Sequence, residues 1–261
     1  MNIETRPIGE HLREWRRRRR MSQLDLASEA QISARHLSFL ETGRSLPSRD
    51  MVIRLAEQLD VPVRERNVLL VSAGFAPAFP ERALADPALK AAREAIELLL
   101  KAHEPYPAVA IDRHWTIVAR NGAIAALLED VDAELLKPPV NALRLSLHPK
   151  GLAPRIANLS EWRAHLLDRL RKQIDTSADP ALVTLMEELL DYPGASTSPP
   201  RGHDYGGVAM PLRLKTSMGT LSFLSTTTVF GTPVDVTLSE IALETFLPED
   251  ASTASALRTA K

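Results

Sequence analysis

The chain has 261 residues, 44% of them hydrophobic, enough for two domains of ordinary size. It contains no cysteine, which excludes a disulfide framework, a thiolate metal site and a cysteine nucleophile, and suits a reducing compartment. The net charge of -1 hides a segregation, because residues 1–75 hold 13 Arg, no Lys and 10 acidic side chains for a net of +3, leaving -4 on the remainder. A basic block on a mildly acidic body fits a protein that meets phosphates with one end, and equally a solvated arginine-rich helix end. The first twenty residues have no apolar core of the signal-peptide kind, and no stretch approaches the roughly 18 apolar residues of a membrane span, so a soluble, cytoplasmic protein is expected.

From Ile8 to Arg20, the apolar positions Ile8, Leu12 and Trp15 are spaced four and three apart, which predicts one face of a helix. Ser22 is placed to cap a second helix with Asp25 at the capping-box position, and Leu24, Leu26 and Ala27 are expected on its buried side. Gln31-Ile32-Ser33 reads as a connector, with Ser33 capping a third helix from Ala34 to about Glu41 that turns Leu37 and Leu40 inward and stops at Gly43. Pro47-Ser48 opens a fourth helix carrying Met51, Ile53, Leu55, Ala56 and Leu59, and a fifth runs from Pro62 to Ala73-Gly74. The expectation is an all-α bundle of five short helices over residues 1–75.

The run SQLDLASEAQISARHLSFLETGRSLPS closely resembles the helix-turn-helix of the lambda-repressor-like, or XRE, family. The marks are Ser22-Gln23, Leu26-Ala27, Ser33, the Leu40-Glu41-x-Gly43-Arg44 ending and Pro47-Ser48. A generic bundle explains the apolar spacing but not that set in register. In this arrangement the second helix of the pair lies in the major groove, so Ser33, Ala34, Arg35, His36 and Phe39 become candidate base-reading residues. Arg35 suits bidentate readout of guanine, and Ala34 or Phe39 suits a thymine methyl, although Phe39 stands equally as core beside Leu37 and Leu40. Ser22, Gln23 and Arg44 are the candidate phosphate contacts. The resemblance also implies that Arg16 pairs with Glu41 inside the fold. Arg17 to Arg20 either touch phosphate or are solvated.

Residues 73–80, with two prolines and a glycine, break the pattern and mark a boundary, and 76–102 reads as a linker and connecting helix, with Pro87 to Ala102 helical. Short strands are expected at 108–111 and 116–119 around a turn at Asp112-Arg113-His114, then helices at 123–128, 161–173 and 180–190, and strands at 208–214, 221–230 and 241–247. That order predicts an α+β domain with an antiparallel sheet over residues 103–261.

Residues Val109-Ala-Ile-Asp-Arg-His-Trp115, Asn121, the segment 138–149, Glu161-Trp162-Arg163 and the segment 221–233 resemble the ligand-binding domain of MmyB-like regulators. The resemblance implies a PAS-like fold around an apolar cavity, a fatty-acid-like or other elongated apolar ligand in place of any fixed cofactor, and an association with antibiotic metabolism or with neighbouring short-chain dehydrogenases. Trp115, Trp162, Phe223 and Phe230 are candidate pocket walls, and Asn121, Arg144, His148 or the Thr226-Thr227-Thr228 run candidate head-group contacts, Arg144 above all for a carboxylate. Each has a competing reading, since aromatics are first of all core and threonine favours strands for its own sake.

Against an enzyme, the seven histidines (His11, His36, His103, His114, His148, His165 and His203) show no HExxH spacing, and no nucleophile elbow, dinucleotide turn or phosphate loop occurs. No catalytic or metal-binding residue is assigned. The sequence reads as a regulator that binds double-stranded DNA as a homodimer on a pseudo-palindromic site and senses a small apolar ligand. The alternative is an antitoxin-like adaptor whose C-terminal domain binds a protein partner.

Overall fold

A computed structural model describes residues 6–193, 210–230 and 235–259. His203, the expected strand start at Val208 and the 231–233 end of the last motif lie outside the described residues. The chain divides into two compact units, the first built on residues up to Glu81 with the short segments 175–178 and 235–236, and the second on the remaining residues from Arg82 onward.

The first unit is five helices, α1 (Ile8–Arg18), α2 (Gln23–Glu29), α3 (Ala34–Glu41), α4 (Arg49–Gln58) and α5 (Val63–Ser72). Ile8, Leu12 and Trp15 are all buried, as their spacing requires. The capping box at α2 is complete: Ser22 Oγ accepts from the Asp25 amide at 3.1 Å, and the Ser22 amide donates to Asp25 Oδ2 at 2.8 Å. Ser33 and Ser48 cap α3 and α4 with the hydroxyl alone, accepting from the His36 and Met51 amides. Gly43, at φ 72°, supplies the left-handed residue that lets the chain leave α3. Gly9 has a different task, because a Cβ there would lie 2.4 Å from the Leu40 carbonyl oxygen, so only glycine lets α1 cross α3 at this separation. Leu24, expected inside, is 69% exposed. At 100° per residue it lies on the opposite side of α2 from Leu26, and Ala30 completes the buried face instead. The proline-rich segment after α5 is held, since Asn67 accepts from the Ala78 and Phe79 amides and donates to the Phe79 carbonyl at 2.7 Å.

The second unit contains α6 (Lys90–Ala102), β1 (Ala108–Ile111), β2 (Ile117–Arg120), α7 (Ile124–Leu127), α8 (Ala142–Leu147), α9 (Leu159–Ser177), α10 (Pro180–Asp191), β3 (Pro211–Thr216), β4 (Gly219–Val229), α11 (Val236–Ser239), β5 (Ala242–Pro248) and α12 (Ala251–Thr259). The strands form one antiparallel sheet in the order β2-β1-β5-β4-β3, so the last strand lies between the first and the fourth.

Strand alternation divides this unit into two layers of core. Ala108 and Ala110 of β1 face Ile96 and Leu100 of α6, whereas Val109 and Ile111 face the larger cluster built with Leu143, Trp162, Leu166 and Leu185 of α8 to α10. Of the helices that periodicity did not announce, α8 and α12 are specified by caps. Asn141 Oδ1 accepts from the Leu143 and Arg144 amides, and Asp250 Oδ1 accepts from the Thr253 amide at 2.6 Å.

The turn between β1 and β2 is set by Asp112, whose Oδ1 accepts from the His114 and Thr116 amides, both at 2.8 Å. It leaves Trp115 at φ 65°, a conformation that costs a non-glycine residue about 1–2 kcal/mol. The ring is fixed by its own contacts: Trp115 Nε1 donates to Gln173 Oε1 at 2.8 Å, and Gln173 Nε2 donates to the Arg113 carbonyl at 2.6 Å.

Candidate functional site

On the first unit, the face of α3 presents Ser33 and Arg35 exposed, with Ala34, His36 and Phe39 half-buried. Arg35 and Arg44 lie over the Phe39 ring, their guanidinium carbons 5.3 and 5.9 Å from its centroid. Phe39 is thus a platform that holds two cations and stands outside the core cluster. Neither arginine makes an ion pair among the described residues, so both charges face solvent. The surface is therefore a half-buried aromatic carrying two exposed, uncompensated charges.

Of the arginine run, Arg16 points inward, where Nε and Nη2 donate to Glu41 Oε1 and Oε2 at 2.6 and 2.9 Å. Arg18 pairs with Glu14, and Arg19 donates to the Leu59 and Asp60 carbonyls, closing the C-terminus of α4. Arg17 and Arg20 stay exposed and unpaired among the described residues. Gln23, expected at a phosphate, donates Nε2 to Glu41 Oε2 at 2.8 Å and so completes the interior network. The Ser22 and Ser33 hydroxyls serve as caps and remain exposed. Burial raises the Glu41 carboxyl, but hydrogen bonds from Arg16 and Gln23 and the charges of Arg16 and Arg13 outweigh it, leaving its pKa below the ordinary carboxylate value.

The second unit holds a partly open cavity of about 80 Å³ between the sheet and α7 to α9. At about 10–15 Å³ per water-sized probe, that is room for several waters or a short apolar group. Its walls are apolar apart from Ser146, Arg169, Ser225 and Glu244. Trp115 and Trp162 are among the residues that line it. Trp162 Nε1 donates to Ser146 Oγ at 2.9 Å, which satisfies the indole in an apolar surround. At the polar end, Arg169 Nη2 and Nη1 donate to Glu244 Oε1 and Oε2 at 2.5 and 3.1 Å, and Arg169 stacks 4.8 Å from the Trp115 ring centroid. Thr227 does not line the cavity, but its hydroxyl donates to Glu244 Oε1 and accepts from Arg169 Nη2, both at 2.9 Å.

The other expected ligand contacts fall elsewhere. Asn121 has both ends of its amide engaged: Oδ1 accepts from the Ala108 amide, and Nδ2 donates to the Leu100 and Tyr106 carbonyls, which ties α6 to β1. Arg144, proposed for a carboxylate, is already bound to one inside the chain, a two-point pair with Glu188. His148 accepts the Lys150 amide on Nδ1 and meets Tyr192 edge-on at 4.9 Å. Phe223 is fully buried against Phe246, and Phe230 packs with the α6 layer. What the sequence reading missed is Arg169 and Glu244. A signal existed for the first: Trp162, Leu166 and Arg169 are spaced four and three apart and share one face of α9.

Residues 92–260 match the family described as MmyB-like transcription regulator ligand binding domain, and residues 7–69 match a helix-turn-helix domain family. Among solved structures, the clp gene regulator ClgR from Corynebacterium glutamicum is 26% identical, covering 38% of this chain and 90% of its own, with a TM-score of 0.23. An RNA-binding light-oxygen-voltage receptor is 13% identical, covering 98% of this chain and 64% of its own, with a TM-score of 0.30. No curated protein matches the chain.

Proposed function

The chain belongs to the MmyB-like transcription regulators, joining a helix-turn-helix domain to a ligand-binding domain, and from that premise we propose that it is a sensor of a small apolar, fatty-acid-like molecule that acts on its own DNA site. The observation that supports this reading best is the cavity, an apolar chamber with one polar end. Arg35 then reads a base, with Phe39 beside it, while Arg44, Arg17 and Arg20 hold phosphates. The α+β unit acts as a PAS-like sensor in the cytoplasm, and regulation is its task in place of catalysis.

A homodimer is part of this proposal. On α6, Ala91, Ala95 and Leu98 are exposed at spacings of four and three, a seam that a second helix could cover. For ligand binding to change DNA affinity, one arrangement of the two reading heads must bind the ligand better than the other. Native mass spectrometry of the purified chain, beside its mass after denaturation, tests both parts. A dimer carrying an apolar adduct supports the proposal. A monomer without adduct, whose affinity for its selected duplex is unmoved by apolar additives, overturns it.

A further inference from the structure

We infer that α6 pairs with α6 of a second copy of this chain in antiparallel direction, in the register that sets Ala95 against Leu98 and Glu94 against Lys101. The inference rests on the homodimer reading above and adds to it the direction and register of the two helices.

The inner side of α6 is fixed by the sheet. Ile96 and Leu100, each 3% exposed, pack with Ala108 and Ala110 of β1, and Arg93 Nη1, on the same side, donates to the Leu84 and Asp86 carbonyls at 2.5 and 2.7 Å. At 3.6 residues per turn, Ala91, Ala95, Leu98 and Ala102 then fall within about 60° of one another on the opposite side. All four are exposed, Leu98 at 69%. Glu94 and Lys101 border this stripe along one edge, and Ala92 and Leu99 along the other. Lys101 makes no ion pair among the described residues, and Glu94 meets Lys90 of its own helix at 3.6 Å with both side chains largely in solvent. Such a pair is weak enough for Glu94 to take a better partner.

The stripe complements itself in one direction. With two helices antiparallel about a two-fold axis between Ile96 and Glu97, Ala95 of each faces Leu98 of the other, so a large side chain meets a small one, and Ala91 faces Ala102. The flanking positions match in the same register. Glu94 reaches Lys101 on one edge, and Leu99, 42% exposed, covers Ala92 on the other, each contact made twice by symmetry. A parallel pair would instead stack Leu98 on Leu98 and Ala95 on Ala95, with unequal gaps, and would set Glu94 beside Leu99 with no charge to meet. A pattern of size and charge that matches itself under two-fold rotation points to a second copy as the occupant.

The experiment uses the full chain, whose lack of cysteine lets single cysteines report proximity. Ala91→Cys and Ala102→Cys, each mildly oxidised by itself, should stay unlinked, whereas an equilibrated mixture of the two should form at least about ten times more disulfide-linked dimer. The reason is that antiparallel pairing brings position 91 to position 102 but parts the two copies of position 91 by about 16 Å along the axis, beyond the roughly 7 Å Cα limit of a disulfide. As a second readout, Lys101→Glu should raise the dimer dissociation constant about three- to tenfold, and adding Glu94→Lys should restore it to within about twofold. Linking of either variant with itself as readily as in the mixture overturns the antiparallel register while leaving the homodimer standing. So does a chain that is dimeric by native mass spectrometry but links in neither case, or a folded double variant that fails to recover. A monomer throughout removes the homodimer reading and the inference together.

Discussion

Glu41 accepts a two-point ion pair from Arg16, 25 positions earlier in the chain, with its own side chain fully buried and that of Arg16 11% exposed. The pair fixes α1 against α3, the helix that carries Arg35 and Phe39. Removing one partner leaves an uncompensated buried charge, so Glu41→Ala should destabilise the first unit by about 3–5 kcal/mol. Thermal or urea unfolding checks it, and a loss below 1 kcal/mol would mean that the pair is solvent-relaxed.

The same carboxylate gives a pH dependence. Its pKa in the folded chain is lowered below the ordinary value of 4.5, so its contribution is complete above that value and is lost as pH falls through the lowered folded pKa. Acid unfolding of Glu41→Gln should be flatter than that of the wild type in this range. Parallel acid-unfolding curves would remove Glu41 as a source of the dependence.

Gly9→Ala brings a methyl group onto the Leu40 carbonyl, where neither backbone can yield without moving a helix. We expect a loss of about 1–3 kcal/mol despite the better helix propensity of alanine. A stabilised variant would show that α1 and α3 can separate freely.

Arg35 and Arg44 share the Phe39 ring but should separate in function. Arg35→Ala should weaken specific binding by about 1–3 kcal/mol and relax one base position, whereas Arg44→Ala should weaken all duplexes alike and reduce the salt slope by about one. Binding titrations against selected and scrambled duplexes at two salt concentrations decide. Identical behaviour of the two variants would refute the assignment.

Asn121→Ala removes hydrogen bonds to the Ala108, Leu100 and Tyr106 backbones. With two buried backbone groups and one half-buried one involved, stability should fall by about 2–4 kcal/mol, while the affinity of the folded fraction for a medium-chain fatty acid stays within about twofold. A large change in affinity with unchanged stability would return Asn121 to the ligand site.

The helix-turn-helix was legible because its signals are local. Ser22, Ser33 and Ser48 announce helix starts through bonds three residues long, Gly43 announces an end through its own backbone, and Leu37 and Leu40 face inward by their spacing alone. The strands of the second unit were legible for a similar reason, alternation and turn chemistry. Leu24 shows where short-range reading failed: a helix of seven residues has too few apolar positions to fix its buried face, and α2 turned that side outward.

The candidate ligand residues divide in the same way. Trp115 and Trp162 reach the cavity, while Asn121, Arg144 and His148, polar residues in suggestive motifs, are engaged by backbone or by another side chain. Nothing in a motif tells whether a polar group has already found its partner within the chain. The sequence by itself determined the five helices of the first unit, the caps of α2 and α3, the interior role of Arg16 and the alternation of the strands, all set by interactions within a few residues or by a strong family pattern. Only the tertiary structure decided that Arg169 and Glu244, 75 positions apart, meet at the end of an apolar cavity. Spacing places Arg169 on the face of α9 with Trp162 and Leu166, but the meeting depends on which strands pair with β5 and in what register, which no local period encodes.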